Sequence, residues 1–582
     1  MSSAGDENFP ESVYLIHKRK HQGCRSTLDG GWRADRGVES DKGRLSLLPS
    51  VASGAGQGFP VEQTQVPTTS PTTQAPVTQA GTNLVQGLGL FSATAIVVGS
   101  MIGSGIFIVP ADISRNVGSP ALLIAAWLVT AVMTIIGALS YGELAAMMPR
   151  AGGQYVYLRE ALGPMWGFLY GWTLFLVIQC GTLAAVAVAF GKFLGVFFPQ
   201  VSGSHWLWHI GHVPAWRVGP MLLGNMDIGL NTANLAGIVV IAILAGVNVF
   251  GVRLGALVQN VFTTAKAAAL LGLVIFGFAL GRNAEAIRAN FGANFWKGAS
   301  FSTLHAVQVG VGGSIAMVGL FTILAVVQTG SLFSADAWNN VTFTAGEVRN
   351  PRRNLPLSLV LGTGLVLTLY ILSNFVYLMV LPLHGVPHGA TTFARGIQYA
   401  SEDRVATAVL QQIFSAGGAY LMAAAILIST FGCANGLTLA GARVYYAMSR
   451  DGLFFRAAGR LHPRYKTPVA SLIVQAFWTC LLCLSGSYSQ LLDYTMFAAL
   501  VFYILTIGSL FMLRVRRPDA ERPYRAVGYP VLPAIYIVMA AWICIVLLRY
   551  KPQYTWPGLI IVLLGVPVFA VWSRRGTPQA SQ

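Results

Sequence analysis

An all-α polytopic membrane protein is the fold class this sequence predicts, and three observations carry the prediction. The chain has 582 residues, 54% of them hydrophobic and only 10% charged, where an ordinary soluble domain carries about 25% charged residues. A surface cannot be covered with so few polar groups unless lipid is part of the solvent. Apolar runs long enough to cross a bilayer recur from Gly87 to the C-terminal region. Two of those runs are interrupted near their middles by glycine, serine and acidic residues.

The runs number twelve, with approximate limits 87–116, 120–146, 164–198, 231–250, 257–281, 313–348, 357–382, 405–447, 468–486, 489–513, 530–549 and 556–573. Their connecting loops sort by charge. One side, with GGQYVYLREALGP, the turn at Arg253, GEVRNPRRNLP, SRDGLFFRAAGRLHPRYKTP and RVRRPDAERPYRAVGYP, carries 15 Lys/Arg in these segments; the other carries nine. Cations orient helices towards the cytoplasm, so both termini are expected there, in a multi-pass protein of the cell (plasma or inner) membrane. The net charge of +17 therefore reflects loop orientation. It forms no single basic face, which argues against a nucleic-acid partner.

Residues 1–82 differ from the rest of the chain. The first fifty hold eight Lys/Arg against seven Asp/Glu, and VEQTQVPTTSPTTQAPVTQAGTN comes next. So little apolar content predicts a disordered cytoplasmic tail, without a signal-peptide apolar region. Residues 83–575 form the expected twelve-helix membrane domain, and 576–582 a short cytoplasmic C-terminal tail. Of the six cysteines, Cys24, Cys180, Cys433, Cys480, Cys483 and Cys544, five lie inside apolar runs, which is no disulfide framework. Cys480-x-x-Cys483 reads as two small apolar residues of a span.

The interruptions carry the functional argument. The first span contains Gly99-Ser-Met101-Ile102-Gly103-Ser104-Gly105 and the sixth contains Phe333-Ser334-Ala-Asp336-Ala-Trp338-Asn339-Asn340. They lie five spans apart, and because five is odd, a second five-helix unit inserts upside down. Interrupted segments at matching places in two inverted halves point to a transporter's binding site. A broken helix in hydrocarbon frees amides and carbonyls, which is tolerable only around a cavity or within protein. Freed amides suit a carboxylate and freed carbonyls an ammonium group, so one pair of breaks suits both ends of an α-amino acid. The other reading of Gly99-x-x-x-Gly103 is a packing groove for a neighbouring helix.

MIGSGIF, PRAGGQYVYLREALGP, FSADAWNN with GEVRNPRRNLP, and ARVYYAMSRDGLFF, in this order, resemble the amino acid–polyamine–organocation superfamily. Within it they are most similar to bacterial relatives of the L-type amino acid transporters, over residues 83–575. The resemblance implies two inverted five-helix repeats plus two further helices, working by alternating access. It implies a substrate carboxylate at the amides of Gly103, Ser104 and Gly105, and an α-amino group at carbonyls near Met101, Phe333 and Asp336. Ile102 and Ser334 belong to the same two unwound segments, and Phe333 falls where the family places an aromatic gate. The sixth-span segment departs from the usual phenylalanine-alanine-tyrosine followed by Asp or Gly, Gly and Trp. The tyrosine is lost, and Ala337 stands where a glycine is usual.

The function this implies is sodium-independent exchange of neutral amino acids. The alternative is a cationic amino acid or polyamine permease, proton-coupled, for which Asp336 is the candidate carboxylate. Asp336 has two roles open to it: N-cap of the next half-helix, or a functional intramembrane acid. Glu143, Asp493, Lys192 and Arg443 lie near span ends and need no special role. The outer loop 199–230, with Trp206, Trp208, His209, His212 and Trp216, reads as a membrane-interface cluster. It holds no cysteine, so no disulfide-linked accessory subunit of the kind used by animal L-type relatives is expected there. Enzyme motifs are missing: there is no Gly-x-Ser-x-Gly elbow, no His-Glu-x-x-His and no phosphate-binding loop, and no cofactor or metal is called for.

Lys266, in QNVFTTAKAAALLGL, lies roughly 13 Å inside a core about 30 Å thick. It must either snorkel or face polar partners inside the bundle. Sodium-driven members of the fold bind their ion between the first and eighth helices. By resemblance, the ammonium of a fifth-helix lysine fills that place here, with carbonyls near Gly99 and Gly103 and with Ser429 and Thr430 around it.

Overall fold

The computed structural model describes residues 86–574, apart from 215, 219–220, 224–225, 310–313 and 485–487. The expected tails at 1–82 and 576–582 lie outside the described residues.

Among the described residues, ten helices are long and apolar enough to cross a membrane, and two shorter apolar helices, Leu320–Ser334 and Val469–Cys483, complete the set of twelve expected runs. The first span is two helices, Leu90–Met101 and Gly105–Val117. The second is Pro120–Met147, the third Pro164–Leu194, the fourth Thr232–Val249 and the fifth Val252–Leu280. The sixth is again two pieces, Leu320–Ser334 and Asn340–Phe343. Pro351–Val380, Val405–Arg450, Val469–Cys483, Tyr488–Arg516, Val531–Tyr550 and Pro552–Arg574 are spans seven to twelve.

The packing repeats. The first span lies against the fifth, and the sixth lies against the tenth, as two five-helix units of one plan require. The second span packs on the seventh and the fifth on the eighth, which joins the two units. The breaks therefore face each other in the interior: Met101 to Gly105 and Phe333 to Asn340 are all buried.

Several sequence expectations are corrected. The sixth span begins at Leu320 instead of near 313. Residues His305–Gln308 and Ile315–Val318 pair as an antiparallel ribbon before it. Its outer piece is thus about 22 Å long. The outer loop also contains antiparallel pairs, Trp206–Val213 with Met226–Asn231 and Trp216–Val218 with Met221–Leu223. On it, His209 and His212 both bond Asp227 Oδ1, at 3.4 and 3.0 Å. The eighth span is not one straight helix; Phe414 and Ser415 leave helical geometry and divide it.

Glu143 and Arg443 are not interface residues. Glu143 is fully buried and takes Arg514 at 2.6 and 3.0 Å, Arg522 at 3.4 Å and the amide of Ala526 at 2.6 Å. Arg443, equally buried, makes a two-pronged pair with Glu347 at 3.2 and 3.3 Å and donates to Leu439 O. A charge without water is tolerated only when paired and hydrogen-bonded, and both groups meet that condition. Lys192 is half-buried, and the side chain of Asp493 lies outside the described residues.

Candidate functional site

Each break leaves carbonyls without helical partners, and side chains from neighbouring spans take them. Lys266, with 1% of its surface exposed, donates from Nζ to Gly99 O, to Ile102 O at 2.8 Å and to Ser429 O at 3.2 Å. The ammonium thus sits inside the bundle between the first and eighth spans. Ser429 Oγ donates towards Ile102 O and Gly103 O, at 3.0 and 3.1 Å, and Cys433 Sγ lies 3.1 Å from Ser100 O. Thr430 takes no part: its hydroxyl donates back to Ile426 O and Leu427 O of its own helix.

The two breaks are also tied to each other. The hydroxyl of Tyr370, on the seventh span, lies 3.0 Å from both Met101 O and Ser334 O. The Met101 carbonyl, assigned by resemblance to a substrate amine, therefore holds a protein hydroxyl here. Tyr377, two helical turns further on, donates to Ile106 O at 3.3 Å. Gly105 makes the contact between the outer pieces close enough for this. A Cβ built there would lie 2.7 Å from Ser334 Cβ and 2.9 Å from Ser334 Cα. The glycine is a packing requirement between the broken helices, and so is Gly99, whose added Cβ would run into Gln259 and Thr263 of the fifth span.

At the second break the chain turns through Ala337 at φ +63, a left-handed conformation that costs a residue with a Cβ about 1–2 kcal/mol. The next helix begins at Asn340 with Asn339 in the cap position, so Asp336 is not its N-cap. The carboxylate instead accepts from Tyr503, on the tenth span, at 2.5 Å. Trp338 stacks on the Tyr503 ring, centroids 5.5 Å apart, and Tyr141 meets Trp338 edge-on at 4.8 Å. The arrangement mirrors the first break: the fifth span sends a cation to one break, and its counterpart, the tenth, sends a phenol to the other. Phe333, in the last turn before the break, is 7% exposed and packed in the core.

A narrow cleft lies beside the second break. Asp336, Ala337, Asn339 and Asn340 form one wall, and Tyr503 and Ala499 of the tenth span another. Leu174, Ile178, Gln179 and Thr182 of the third span close it, around a π-helical turn at Leu174–Ile178. Such turns recur at functional sites because they displace side chains from the regular helical face. Of the residues assigned to the substrate by resemblance, Asp336 lines this cleft; Met101 to Gly105, Phe333 and Ser334 do not. Among the described residues, no three His, Cys, Asp or Glu side chains gather to hold a metal.

Tyr370, Tyr377 and Tyr503 are not singled out by the sequence, although it carries a signal for them. A tyrosine inside an apolar run brings a hydroxyl that must find a partner when buried, and a helix break supplies unpaired acceptors.

Two mid-broken helices, facing each other in a bundle of crossing helices, are the arrangement of a membrane carrier of small solutes. Comparison with known families fixes the kind. The chain belongs to the amino acid permease family, whose profile matches residues 88–569. It is 28% identical over 485 residues to the b(0,+)-type amino acid transporter 1 of Homo sapiens, covering 83% of this chain and 86% of that one. It is 28% identical over 509 residues to the large neutral amino acids transporter small subunit 2 of Mus musculus (86% and 83%). The serine/threonine exchanger SteT of Bacillus subtilis (strain 168) is 26% identical over 490 residues, 84% of this chain and 97% of that one.

Proposed function

We propose that this permease exchanges neutral amino acids across the cell membrane by alternating access, without sodium and with both termini in the cytoplasm. The observation that carries the reading is the buried Lys266 ammonium on Gly99 O, Ile102 O and Ser429 O. A covalently fixed cation supplies positive charge between the first and eighth spans in every cycle, so no ion gradient has to deliver it. In this reading the substrate's carboxylate meets the amides of Gly103, Ser104 and Gly105, and its amine meets carbonyls near Phe333 and Asp336. Phe333 is the gate. Two relatives, named as a neutral amino acid transporter and as an exchanger, support the substrate class and the exchange mode. No disulfide-linked accessory subunit is part of this reading, since loop 199–230 has no cysteine.

Counterflow tests it. Purified protein in liposomes preloaded with a neutral amino acid should take up labelled neutral amino acid faster than empty liposomes do. Equal rates would remove exchange. A second reading, a cationic amino acid or polyamine permease, is favoured by the buried Asp336 carboxylate in the cleft wall. Lysine or putrescine outcompeting every neutral substrate would establish it.

A further inference from the structure

We propose that the cleft beside the second break reads the substrate's side chain, that it selects small neutral amino acids ending in a hydroxyl, and that Asn340 is the group that recognises the hydroxyl oxygen. This deepens the function proposed above and rests on it.

Asn340 is 1% exposed and lines the cleft, yet its Nδ2, in the orientation the structure assigns, has no hydrogen-bond partner. Native proteins leave few buried donors unmet, and each one calls for a physical reason. Its neighbours are different. Asn339 Nδ2 is spent on Gln154 Oε1 at 2.9 Å, and Gln154 Nε2 on Thr506 Oγ1 at 2.9 Å. Gln179 Nε2 is spent on Leu437 O at 2.8 Å. Thr182, also in the lining, donates its hydroxyl proton to Ile178 O at 2.7 Å, so its oxygen is left as an acceptor. Asp336 is a second acceptor, held in place through Tyr503.

The cleft lining therefore holds one unmet donor, on Asn340, together with acceptors on Asp336 and Thr182. A hydroxyl is the smallest group that both accepts and donates: it accepts from Asn340 and donates to Asp336 or Thr182. An aliphatic side chain leaves the amide unpaired. An ammonium or guanidinium has donors only and cannot satisfy Asn340. A carboxylate satisfies Asn340 but lies beside the Asp336 carboxylate. Size points the same way, because the walls leave room for a group about as large as one water.

The test is uptake of labelled serine, threonine, leucine, lysine and glutamate by the full chain in proteoliposomes, wild type beside Asn340→Leu. Serine and threonine should show a KM at least about tenfold below that of leucine, the discrimination expected from one buried donor paired or unpaired. Asn340→Leu should raise the serine KM about tenfold and leave that of leucine within about twofold. Because Nδ2 has no protein partner to lose, the variant's thermal midpoint should not fall, whereas a merely structural asparagine would lower it. Wild-type preference for leucine over serine, or equal effects of Asn340→Leu on both substrates, would overturn the inference while amino acid transport stands. Should Asn340→Leu not fold, the wild-type ranking of serine and threonine against leucine decides the inference. Uptake of none of the five would count against the proposed function itself.

Discussion

The contact between the two broken helices gives the sharpest expectation. Gly105→Ala places a methyl carbon 2.7 Å from Ser334 Cβ and 2.9 Å from Ser334 Cα, and closer still to Ser334 Oγ. The hydroxyl is held by its bond to Gly330 O at 2.8 Å, and the Cα belongs to the backbone, so neither moves aside freely. Forcing extra carbon into a filled interior costs about 1–3 kcal/mol. The displaced element is the end of the sixth span's outer piece, so Tyr370 loses its place between Met101 O and Ser334 O as well. Gly105→Ala should lower the unfolding midpoint in detergent and reduce uptake; Gly105→Val should stop transport in a protein that still folds. Ser334→Gly removes two of the three obstructing atoms. The double variant Gly105→Ala with Ser334→Gly should therefore recover about 1–2 kcal/mol relative to the sum of the single changes. Strict additivity, or a Gly105→Ala protein with wild-type midpoint and uptake, would refute the reasoning.

Three further outcomes rest on separate contacts. Ala337→Gly should raise the unfolding midpoint, by up to about 1 kcal/mol, since the φ of +63 suits glycine; a lower midpoint would show that the Ala337 methyl packs more than it strains. Arg443→Ala should cost about 3–5 kcal/mol by leaving Glu347 buried and uncompensated, and Arg443→Met with Glu347→Leu should restore most of it; a small loss for the single variant would mean that water reaches the pair. Glu160, in the helix Gln154–Leu162 between the second and third spans, is pushed up by burial, but bonds and charge from Arg159 and then Arg517 outweigh that and hold it below the ordinary carboxylate range. A depressed value means that its stabilisation is complete above the ordinary glutamate range near 4.3 and is lost as pH falls through the folded value. The wild-type midpoint should therefore fall more steeply below about pH 4 than that of Glu160→Gln, with parallel profiles above; parallel profiles throughout would remove the assignment.

The spans were legible because hydrocarbon thickness imposes a length and a composition on every one of them. The breaks were legible because glycine weakens a helix and an acid is costly in hydrocarbon, so finding both in mid-span marks an interruption. Lys266 was legible as a residue needing polar partners from its depth alone, whereas the partner set it has, with Ile102 O in and Thr430 out, depends on helix rotation that spacing does not fix. The same limit accounts for Asp336: an acid before a helix reads as a cap, but the helix starts four residues later, and the carboxylate turns to a phenol from a span about 170 residues away. Glu143 and Arg443 were misread for a related reason. Distance from a span end measures depth in lipid, not whether protein covers the residue on all sides. The ribbon before the sixth span was missed because the apolar residues of Ile315–Val318 merged with the span that begins at Leu320.

Sodium replacement tests the central claim most directly. With choline in place of sodium on both sides of proteoliposomes, wild-type uptake should be unchanged if, as proposed, the Lys266 amine on Gly99 O, Ile102 O and Ser429 O stands in for a bound sodium ion. Lys266→Ala should impair uptake in either medium. A wild-type requirement for sodium would contradict the account.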